Sequence, residues 1–463
     1  MSKLNYTGST YIKLCVYIIF YCITAFIVIS FFTLVPDNTL RFPIFRAFII
    51  LFASILLIKY CVYMVISPWY QVMISYKTYL RRISGDQTPY EPLVSVLVPS
   101  WNEERGVVTT VETLLQSTYK NMEIIVINNA STDNTNNNMK LLMERYKYYR
   151  EEYPEANHIK LSYHTQNTQG KGHALNSGLE KAKGDIIISI DADCSVPETS
   201  IENFVSYFRD PDVMAAVGNV KIGRTDNLIS VVQYLEFLFS FYFKKGDTII
   251  NSIYIIGGAA GAFRREVFEV TGNYNPSNIT EDIDLSMLIQ DAGMKIVYAQ
   301  DAIVYTEGAN NVRDLIKQRL RWKRGRFQTF AERHRLFFST KKRHHKIFSW
   351  VILPFAVFGD VQLFLEFFFL IFLYVYSYLT QDFSSFIAGI ILISIMFIVQ
   401  VMFEHHKENR FKFILLAPIG WLLFYLVTFV EFVALLKALW VYVSRKEVVW
   451  QKWERGGVFS SKK

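Results

Sequence analysis

The chain has 463 residues, is 51% hydrophobic and carries a formal net charge of +8. It is longer than one ordinary domain, and its four cysteines exclude a disulfide framework and a thiolate metal site, because only Cys194 lies outside the apolar ends. The clustering of apolar residues at both ends excludes a wholly soluble chain and predicts a polytopic membrane protein.

Two apolar runs, near residues 14–35 and 44–66, are each long enough to cross a bilayer. The first is too long for a signal-peptide core and lacks a small-residue cleavage site, so we expect it to remain as an anchor. Basic residues after the second run place the following chain in the cytoplasm, namely Lys77, Arg81 and Arg82. Residues 1–84 are therefore predicted to form two transmembrane helices and a linker.

Residues 85–340 are predicted to form one cytosolic α/β domain. Apolar strands alternate with helices and end in polar residues; the predicted strands cover 93–98, 123–127, 159–164, 186–190 and 214–220, and the predicted helices include 107–116, 136–152 and 200–208. This order is the βαβ rhythm of a mainly parallel, Rossmann-like sheet.

The strand at 186–190 is followed directly by Asp191-Ala192-Asp193. Carboxylates at the carboxyl end of a parallel strand face the crevice where open α/β sheets bind ligands, and two hard oxygen donors suit Mg²⁺ or Mn²⁺ with a diphosphate. A solvated turn or a helix cap explains the same pair, so the tripeptide alone does not decide between them.

Three further segments are candidates for ligand contact, and each also has a structural explanation. Lys171 lies between two glycines before a predicted helix, where it would meet a phosphate or occupy a solvated turn. The glycine- and alanine-rich run at 257–262 allows either the close approach of a bulky ligand or a tight turn. Thr280-Glu281-Asp282 precedes an apolar helix at 283–289, which either carboxylate could cap.

A later predicted helix places Gln318, Arg321 and Trp322 on one side, at spacings of three and four. An indole beside a guanidinium can stack on a sugar or uracil ring and bind a diphosphate, although a tryptophan can also anchor a helix at a membrane interface. The stretch from residue 313 to residue 346 contains thirteen Lys or Arg and only two acidic residues. This basic stretch favours anionic lipid headgroups over nucleic acid as its partner.

Residues 341–463 are predicted to form C-terminal transmembrane or interface helices and a cytosolic tail. Apolar segments cover 348–378, 386–403 and 411–443, and the last is interrupted by Pro418 and Gly420. Positive charges after residue 443 favour a cytoplasmic C-terminus, so we expect the final segment to be broken, re-entrant or paired. Charged residues within the apolar runs line a polar conduit or pair between helices.

Taken in order, these motifs resemble the membrane-embedded family 2 glycosyltransferases of GT-A fold, which include the poly-N-acetylglucosamine, hyaluronan, chitin-oligosaccharide and cellulose synthases. The resemblance covers residues 94–325 and is most like the poly-N-acetylglucosamine synthases. It rests on four motifs: Pro99-x-x-Asn102-Glu103, Asp191-x-Asp193, Thr280-Glu281-Asp282 and Gln318-x-x-Arg321-Trp322. The chain departs from the family where an acidic pair is usual, since it has Asn128 and Asn129 there.

The resemblance implies inverting transfer from a UDP-sugar, most of all UDP-N-acetylglucosamine, to a growing β-linked polysaccharide that is exported as it is made. Asp191 and Asp193 would hold Mg²⁺ or Mn²⁺, with Lys171 and Arg321 as further positive charge. Asp282 would be the base, beside Glu281, and Trp322 with Gln318 would hold the acceptor. The remaining implied donor contacts come from Pro99, Asn102, Glu103 and Asn129.

The resemblance further implies a multi-pass protein of the plasma membrane with a cytoplasmic catalytic domain and with small accessory membrane or export proteins as partners. Within the enzyme class, the alternative is a transferase that adds one sugar to a lipid carrier and stops. A transporter would not need an Asp-x-Asp strand end and a Gln-x-x-Arg-Trp helix in a cytosolic domain of this size. A catalytically inactive nucleotide receptor would not need a base at Asp282.

Overall fold

The computed structural model describes residues 43–84, 88–153, 159–404 and 410–444. The chain divides into two units, of which the first combines the described parts of 1–65 and 360–432 and the second those of 66–359 and 433–463. The predicted span at 14–35 and the basic tail after residue 444 lie outside the described residues. The predicted boundaries at 84 and 340 remain predictions.

The unit built from 66–359 contains a sheet flanked by helices. Helix α1 (Pro43–Ile83) leads into it. The strands are β1 (Val94–Ser100), β2 (Met122–Asn129), β3 (Lys160–Gln166), β4 (Ile186–Ile190), β5 (Cys194–Ser195), β6 (Val213–Ile222), β7 (Ala260–Arg264) and β8 (Lys295–Thr306). The helices are α2 (Val107–Leu115), α3 (Thr135–Glu152), α4 (Lys171–Lys181), α5 (Ser200–Tyr207), α6 (Leu228–Ile249), α7 (Arg265–Thr271), α8 (Glu281–Asp291) and α9 (Val312–Glu332).

The strand order is β3-β2-β1-β4-β7-β6-β8-β5. Strands β3, β2, β1 and β4 are parallel, as are β6 and β8, whereas β7 runs antiparallel to β4 and β6 and β5 runs antiparallel to β8. The α/β class and the strands at 93–98, 123–127, 159–164 and 186–190 are therefore confirmed. Strands β1, β2 and β4 are buried throughout, as expected where helices cover both faces of a sheet.

The first half of the glycine- and alanine-rich run forms the predicted turn, in which the Ala260 N–H donates to the Gly257 carbonyl at 3.3 Å, but the strand in the rest of the run was not predicted. Its second half forms β7, which bridges the two parallel parts of the sheet by pairing with β4 and β6. Glycine and alanine have low β-strand propensity, so propensity alone does not predict this strand. Their small size suits a position between two buried strands. At Gly261, a Cβ atom would lie 2.9 Å from the Ile256 side chain, so the packing there has no space for a larger residue.

The aromatic helix α6 packs on the sheet. Its N-terminus carries a capping box between Asn227 and Ser230, and the Phe241 ring stacks on Tyr298 of β8 at 5.6 Å between centroids. The Gln233 side chain donates to the carbonyl of Ala309 at 2.8 Å and accepts from its N–H at 2.9 Å. Helix α6 is therefore fixed to the segment that leads into α9.

The other described unit is helical. Its helices include α11 (Ser384–Phe403), α12 (Arg410–Leu415) and parts of α10 (Leu353–Thr380) and α13 (Gly420–Val443). Aromatic pairs join them, such as Phe386 with Trp421 at 5.7 Å and Phe364 with Phe432 at 5.8 Å. A 3₁₀ turn at Ala417–Ile419 separates α12 from α13, so the predicted break at Pro418 is present.

Two segments of the described residues are long and apolar enough to cross a membrane, Phe348–Glu366 and Ala417–Val441. Shorter apolar helical stretches cover Ile371–Thr380 and Gly389–Phe403. Length and composition alone support these two spans. The number of membrane crossings and their orientation remain predictions.

A buried carboxylate ties together the starts of three parallel strands. Glu123 of β2 accepts from the Ser95 hydroxyl and from the Lys183 N–H, each at 2.7 Å, and the Ser95 oxygen accepts from the N–H of Gly184 at 2.8 Å. The Glu123 side chain is 6% exposed, whereas Lys160, which pairs with it at 3.6 Å, is 60% exposed. The same carboxylate therefore takes part in buried hydrogen bonds and in a surface ion pair.

Glu123→Ala should lower the free energy of unfolding by about 2 kcal/mol or more, because it leaves buried donors without an acceptor. Lys160→Met should cost less than about 1 kcal/mol, since an exposed ion pair is screened by water. The melting temperature of each purified variant, followed by tryptophan fluorescence, measures both effects. Equal shifts for the two variants would contradict the importance of the buried network.

Candidate active site

Polar residues from three parallel strands meet at one edge of the sheet. Strands β1, β2 and β4 run in the same direction, so Ser100, Asn129 and Asp191 all lie at their carboxyl ends. This edge is the position at which open α/β sheets bind ligands. The Pro99 motif and the Asp191 motif therefore lie at the same edge of the sheet.

The loops after β1 and β2 are joined to each other by hydrogen bonds. Asn102 has a positive φ of 54°, and its side-chain oxygen accepts from the Thr132 N–H at 2.7 Å. The Asn102 N–H donates to the Ser131 hydroxyl at 2.9 Å, and the Glu103 N–H donates to the Thr135 hydroxyl at 2.8 Å. The structure thus gives Asn102 a role in shaping the loop, in addition to any contact with a ligand.

The asparagines that replace the family's acidic pair also have partners. Asn128 accepts from the Ser131 N–H at 3.1 Å, and Asn129 accepts from the Gln166 amide at 3.0 Å. Pro99 lies within β1 opposite Ile127 of β2. Asn128 and Asn129 therefore place amide groups at the carboxyl end of β2, and the amide of Asn129 still has donor capacity for a ligand.

Gly106, which precedes α2, and Thr110 of α2 shape the Asp-x-Asp turn, and sequence analysis selected neither. A Cβ atom at Gly106 would lie 2.7 Å from the carbonyl oxygen of Ala192, so only glycine lets the helix start come this close. The Thr110 hydroxyl lies 2.6 Å from the carbonyl oxygen of Cys194 and 2.9 Å from that of Ala192. Because Thr110 fixes the backbone on both sides of Asp193, it positions this carboxylate.

Lys171 joins the two acidic motifs. Its ammonium lies 2.5 Å from Asp191 Oδ1 and 3.5 Å from Glu281 Oε1. The residue stands at the first position of α4, where a Cβ atom on the neighbouring Gly172 would come within 2.9 Å of Pro276. The solvated-turn explanation is therefore wrong, because Lys171 is only partly exposed and is paired with two carboxylates.

Burial and charge act in opposite directions in this cluster. Burial raises the pKa of Asp191 and of Glu281, while the Lys171 ammonium and the Arg321 guanidinium lower it, and the pKa of both carboxyls stays raised. Burial lowers the pKa of Lys171, but the carboxylates of Asp191, Glu281 and Asp282 outweigh it and raise the pKa overall. The carboxylates therefore require positive charge beside them.

The glycine pair before β7, Gly257 and Gly258, supplies a hydrogen bond to Asp282. The Asp282 Oδ2 atom accepts from the Gly258 N–H at 2.7 Å. A Cβ atom at Gly258 would lie 2.5 Å from the Lys171 nitrogen and 3.2 Å from Asp282 Oδ2, so only glycine fits between them. Lys244 of α6 donates to the carbonyl of Ile255 at 2.7 Å, and burial lowers the pKa of Lys244 to about 8, against the raising effect of Asp247 and Asp282.

Helix α9 is packed against the Thr280-Glu281-Asp282 motif. A Cβ atom at Gly325 would lie 2.2 Å from the Thr280 hydroxyl oxygen. About two turns further along, just past the end of α9, Arg333 holds the fully buried Asp284 with two hydrogen bonds of 2.8 and 3.0 Å, and this pairing raises the pKa of Arg333. The helix that carries Gln318, Arg321 and Trp322 is thereby fixed relative to the candidate base.

The three predicted residues of α9 have different surroundings. Gln318 is buried, and its side-chain carbonyl oxygen has no hydrogen-bond partner among the described residues. Arg321 is near enough to lower the pKa of Asp191 and Glu281 by its charge. Trp322 is half-buried, and the Arg319 guanidinium lies 4.1 Å from its ring centroid. A buried polar oxygen without a partner is a candidate contact for a ligand.

The pair Asp191 and Asp193 fits a divalent cation. Both are hard oxygen donors at a strand end, and the Lys171 ammonium already lies against Asp191 as a positive charge would. Among the residues that the structure describes, no group of three or more His, Cys, Asp or Glu side chains is arranged to hold a metal ion. The other ligands would therefore come from a diphosphate and water, as is usual for Mg²⁺.

Comparison with known proteins gives the family. Residues 95–272 match glycosyl transferase family 2, and residues 186–443 match glycosyl transferase family group 2. Poly-beta-1,6-N-acetyl-D-glucosamine synthase of Staphylococcus aureus (strain COL) is 27% identical over 251 residues, which are 54% of this chain and 57% of that protein. The synthase of that name from Staphylococcus epidermidis is 25% identical over 69% of this chain and 76% of its own length.

Among solved structures, the mannosyltransferase PcManGT from Pyrobaculum calidifontis, in complex with GDP-Man and Mn²⁺, has a TM-score of 0.50 and 19% identity. The likeness covers 84% of this chain and 99% of PcManGT and concerns the fold alone. Because the match over residues 186–443 spans more than half of the chain, the protein belongs to glycosyl transferase family group 2 and is a glycosyltransferase of GT-A fold.

Proposed function

We propose that the protein polymerises a sugar from a UDP-sugar donor into a β-linked polysaccharide, with inversion at the anomeric carbon. The observation that carries this proposal is the pairing of Lys171 with both Asp191 and Glu281, which brings a donor motif and an acceptor motif together. The relatives in Staphylococcus, named as poly-beta-1,6-N-acetyl-D-glucosamine synthases, support UDP-N-acetylglucosamine as the donor.

The donor half lies at the strand edge. Asp191 and Asp193 would hold Mg²⁺ or Mn²⁺, which when bound neutralises the leaving diphosphate. Arg321 adds positive charge on the same side, and its influence on the pKa of Asp191 supports this placement. The loop residues Pro99, Asn102 and Glu103, with Asn129, would bind the uridine through backbone and amide groups.

The acceptor half contains Asp282. Its carboxylate would take the proton of the acceptor hydroxyl as that oxygen attacks the anomeric carbon. The bond from the anomeric carbon to the diphosphate oxygen breaks in the same step, and its electron pair leaves with UDP. The hydrogen bond from the Gly258 N–H holds Asp282 Oδ2, so the carboxylate is oriented before the substrate binds. Glu281, paired with Lys171, would preserve the charge balance around the base.

Trp322 and Gln318 would hold the growing chain. The apolar face of a sugar stacks on an indole through area, so one ring can hold successive units of a polymer without requiring one register. The partnerless buried oxygen of Gln318 would accept a hydrogen bond from a sugar hydroxyl or help orient the donor. The protein would lie in the plasma membrane, with its catalytic unit in the cytoplasm, and its membrane helices, with or without accessory export proteins, would release the product outside.

A second function within the enzyme class is a single transfer to a lipid carrier. It would use the same donor half and the same base, but it would not need a platform that holds a product after each addition. Substitution of Trp322 therefore distinguishes the two functions, because only the polymerase needs this platform.

Asp282→Asn should lower turnover by about 10² or more, the scale expected when a positioned base is lost. Binding of UDP-sugar should stay near the wild-type level, because the amide keeps the shape of the side chain and Asp282 is not one of the two carboxylates assigned to the cation. Release of UDP and equilibrium binding of a fluorescent UDP-sugar analogue measure the two quantities. If binding is lost together with turnover, Asp282 is a structural cap or a donor contact.

Trp322→Ala should strongly reduce polymer synthesis while hydrolysis of the UDP-sugar to free sugar and UDP persists, because only the acceptor side is damaged. The ratio of polymerised to hydrolysed sugar, measured per amount of folded protein, gives the result. A proportional fall of both products would mean that Trp322 anchors the helix, and it would favour the single-transfer alternative.

A further inference from the structure

Arg319, which sequence analysis did not select, is the largest side chain among the fully buried residues that the structure describes, with 1% of its surface exposed. It lies on α9 three positions before Trp322, so both side chains project from the same side of the helix. A buried arginine is costly unless its charge is compensated, so its partners indicate what it does.

The guanidinium of Arg319 contacts both Glu236 and Trp322. Its Nη2 atom donates to Glu236 Oε2 of helix α6 at 2.5 Å, and its central carbon lies 4.1 Å from the Trp322 ring centroid. The distance to the ring is that of a stacked cation–π contact. The planar guanidinium therefore covers one face of the indole while Glu236 holds it from the other helix.

Glu236 lies on helix α6, whose position is fixed by contacts on both sides of this residue. The capping box at Asn227 anchors the start of α6, and Gln233, one turn before Glu236, makes two hydrogen bonds to the backbone of Ala309. Further along, Phe241 stacks on Tyr298 of the sheet. The position of the Trp322 ring is thus defined by a chain of contacts that starts in the sheet and passes through Glu236 and Arg319.

We propose that Arg319 is a positioning residue that fixes the pose of Trp322 and leaves one face of its indole for the acceptor sugar. The inference rests on the proposed function of Trp322 as the acceptor platform. A ring with one face covered can stack a sugar only on the other, so the Glu236–Arg319 pair selects the face and orientation of the growing chain. Arg319 itself touches neither donor nor acceptor.

Arg319→Met fills the volume of the side chain but removes both the ion pair and the stack. The ratio of polymerised to hydrolysed sugar should fall about thirtyfold, the factor expected for loss of one desolvated cation–π contact, and the products should become shorter. Hydrolysis of the UDP-sugar per folded protein should remain within about twofold of wild type. Arg319→Lys, which keeps the charge but not the planar face, should give an intermediate ratio.

Arg264→Met is the matched control. Arg264 is less buried than Arg319, but it likewise lies over an aromatic ring, at 5.6 Å from Phe208, and it donates to a backbone carbonyl, that of Val213 at 2.7 Å. It has no contact with Trp322, so its loss should lower the yield of folded protein without changing the product ratio. An unchanged product ratio in Arg319→Met, or a fall matched by Arg264→Met, overturns the inference.

The outcomes also separate this inference from the proposed function. If Trp322→Ala leaves the product ratio unchanged, the acceptor platform itself is wrong and the role of Arg319 is wrong with it. If Trp322→Ala lowers the ratio and Arg319→Met does not, only the positioning role is wrong. In a background without Trp322, Arg319→Met should cause no further fall in the ratio, because the two residues act through the same ring.

Discussion

The ammonium of Lys171 is the contact on which the rest of the site depends. It lies against Asp191 from the end of a parallel strand and against Glu281 from the start of a helix, residues that are far apart in the sequence. Burial raises the pKa of both carboxyls, so the cluster needs this positive charge to remain ionised. One lysine thereby fixes the distance between a donor edge and a candidate base.

Glycines make this convergence possible. A Cβ atom at Gly106, Gly258 or Gly325 would lie 2.7, 2.5 or 2.2 Å from the Asp-x-Asp backbone, from Lys171 or from Thr280, respectively. Each glycine allows one element to approach the acidic motifs: helix α2, the segment before β7 and helix α9. Preorganisation in this site therefore comes from close backbone approach as much as from charged pairs.

The parts of the fold that sequence predicts are those with a local signal. Strands β1, β2 and β4 are continuous apolar runs followed by polar tips, and their shared direction predicts where Asp191 lies. Strand β7 is composed of small residues and has no such signal, and the partners of Lys171 and Arg319 depend on packing between distant segments. The candidate residues were thus predictable by type and motif, whereas Thr110, Lys244 and the Arg319–Glu236 pair required the three-dimensional structure.

The central claim is that one site joins donor binding, base catalysis and retention of the product. The most direct measurement is to incubate the purified chain, reconstituted in lipid nanodiscs with Mg²⁺ or Mn²⁺, with a panel of UDP-sugars and to measure both UDP release and product size. The account predicts UDP release from UDP-N-acetylglucosamine and a β-linked polymer of many units. Release of UDP from none of the donors, or a product that contains a single added sugar, would contradict it.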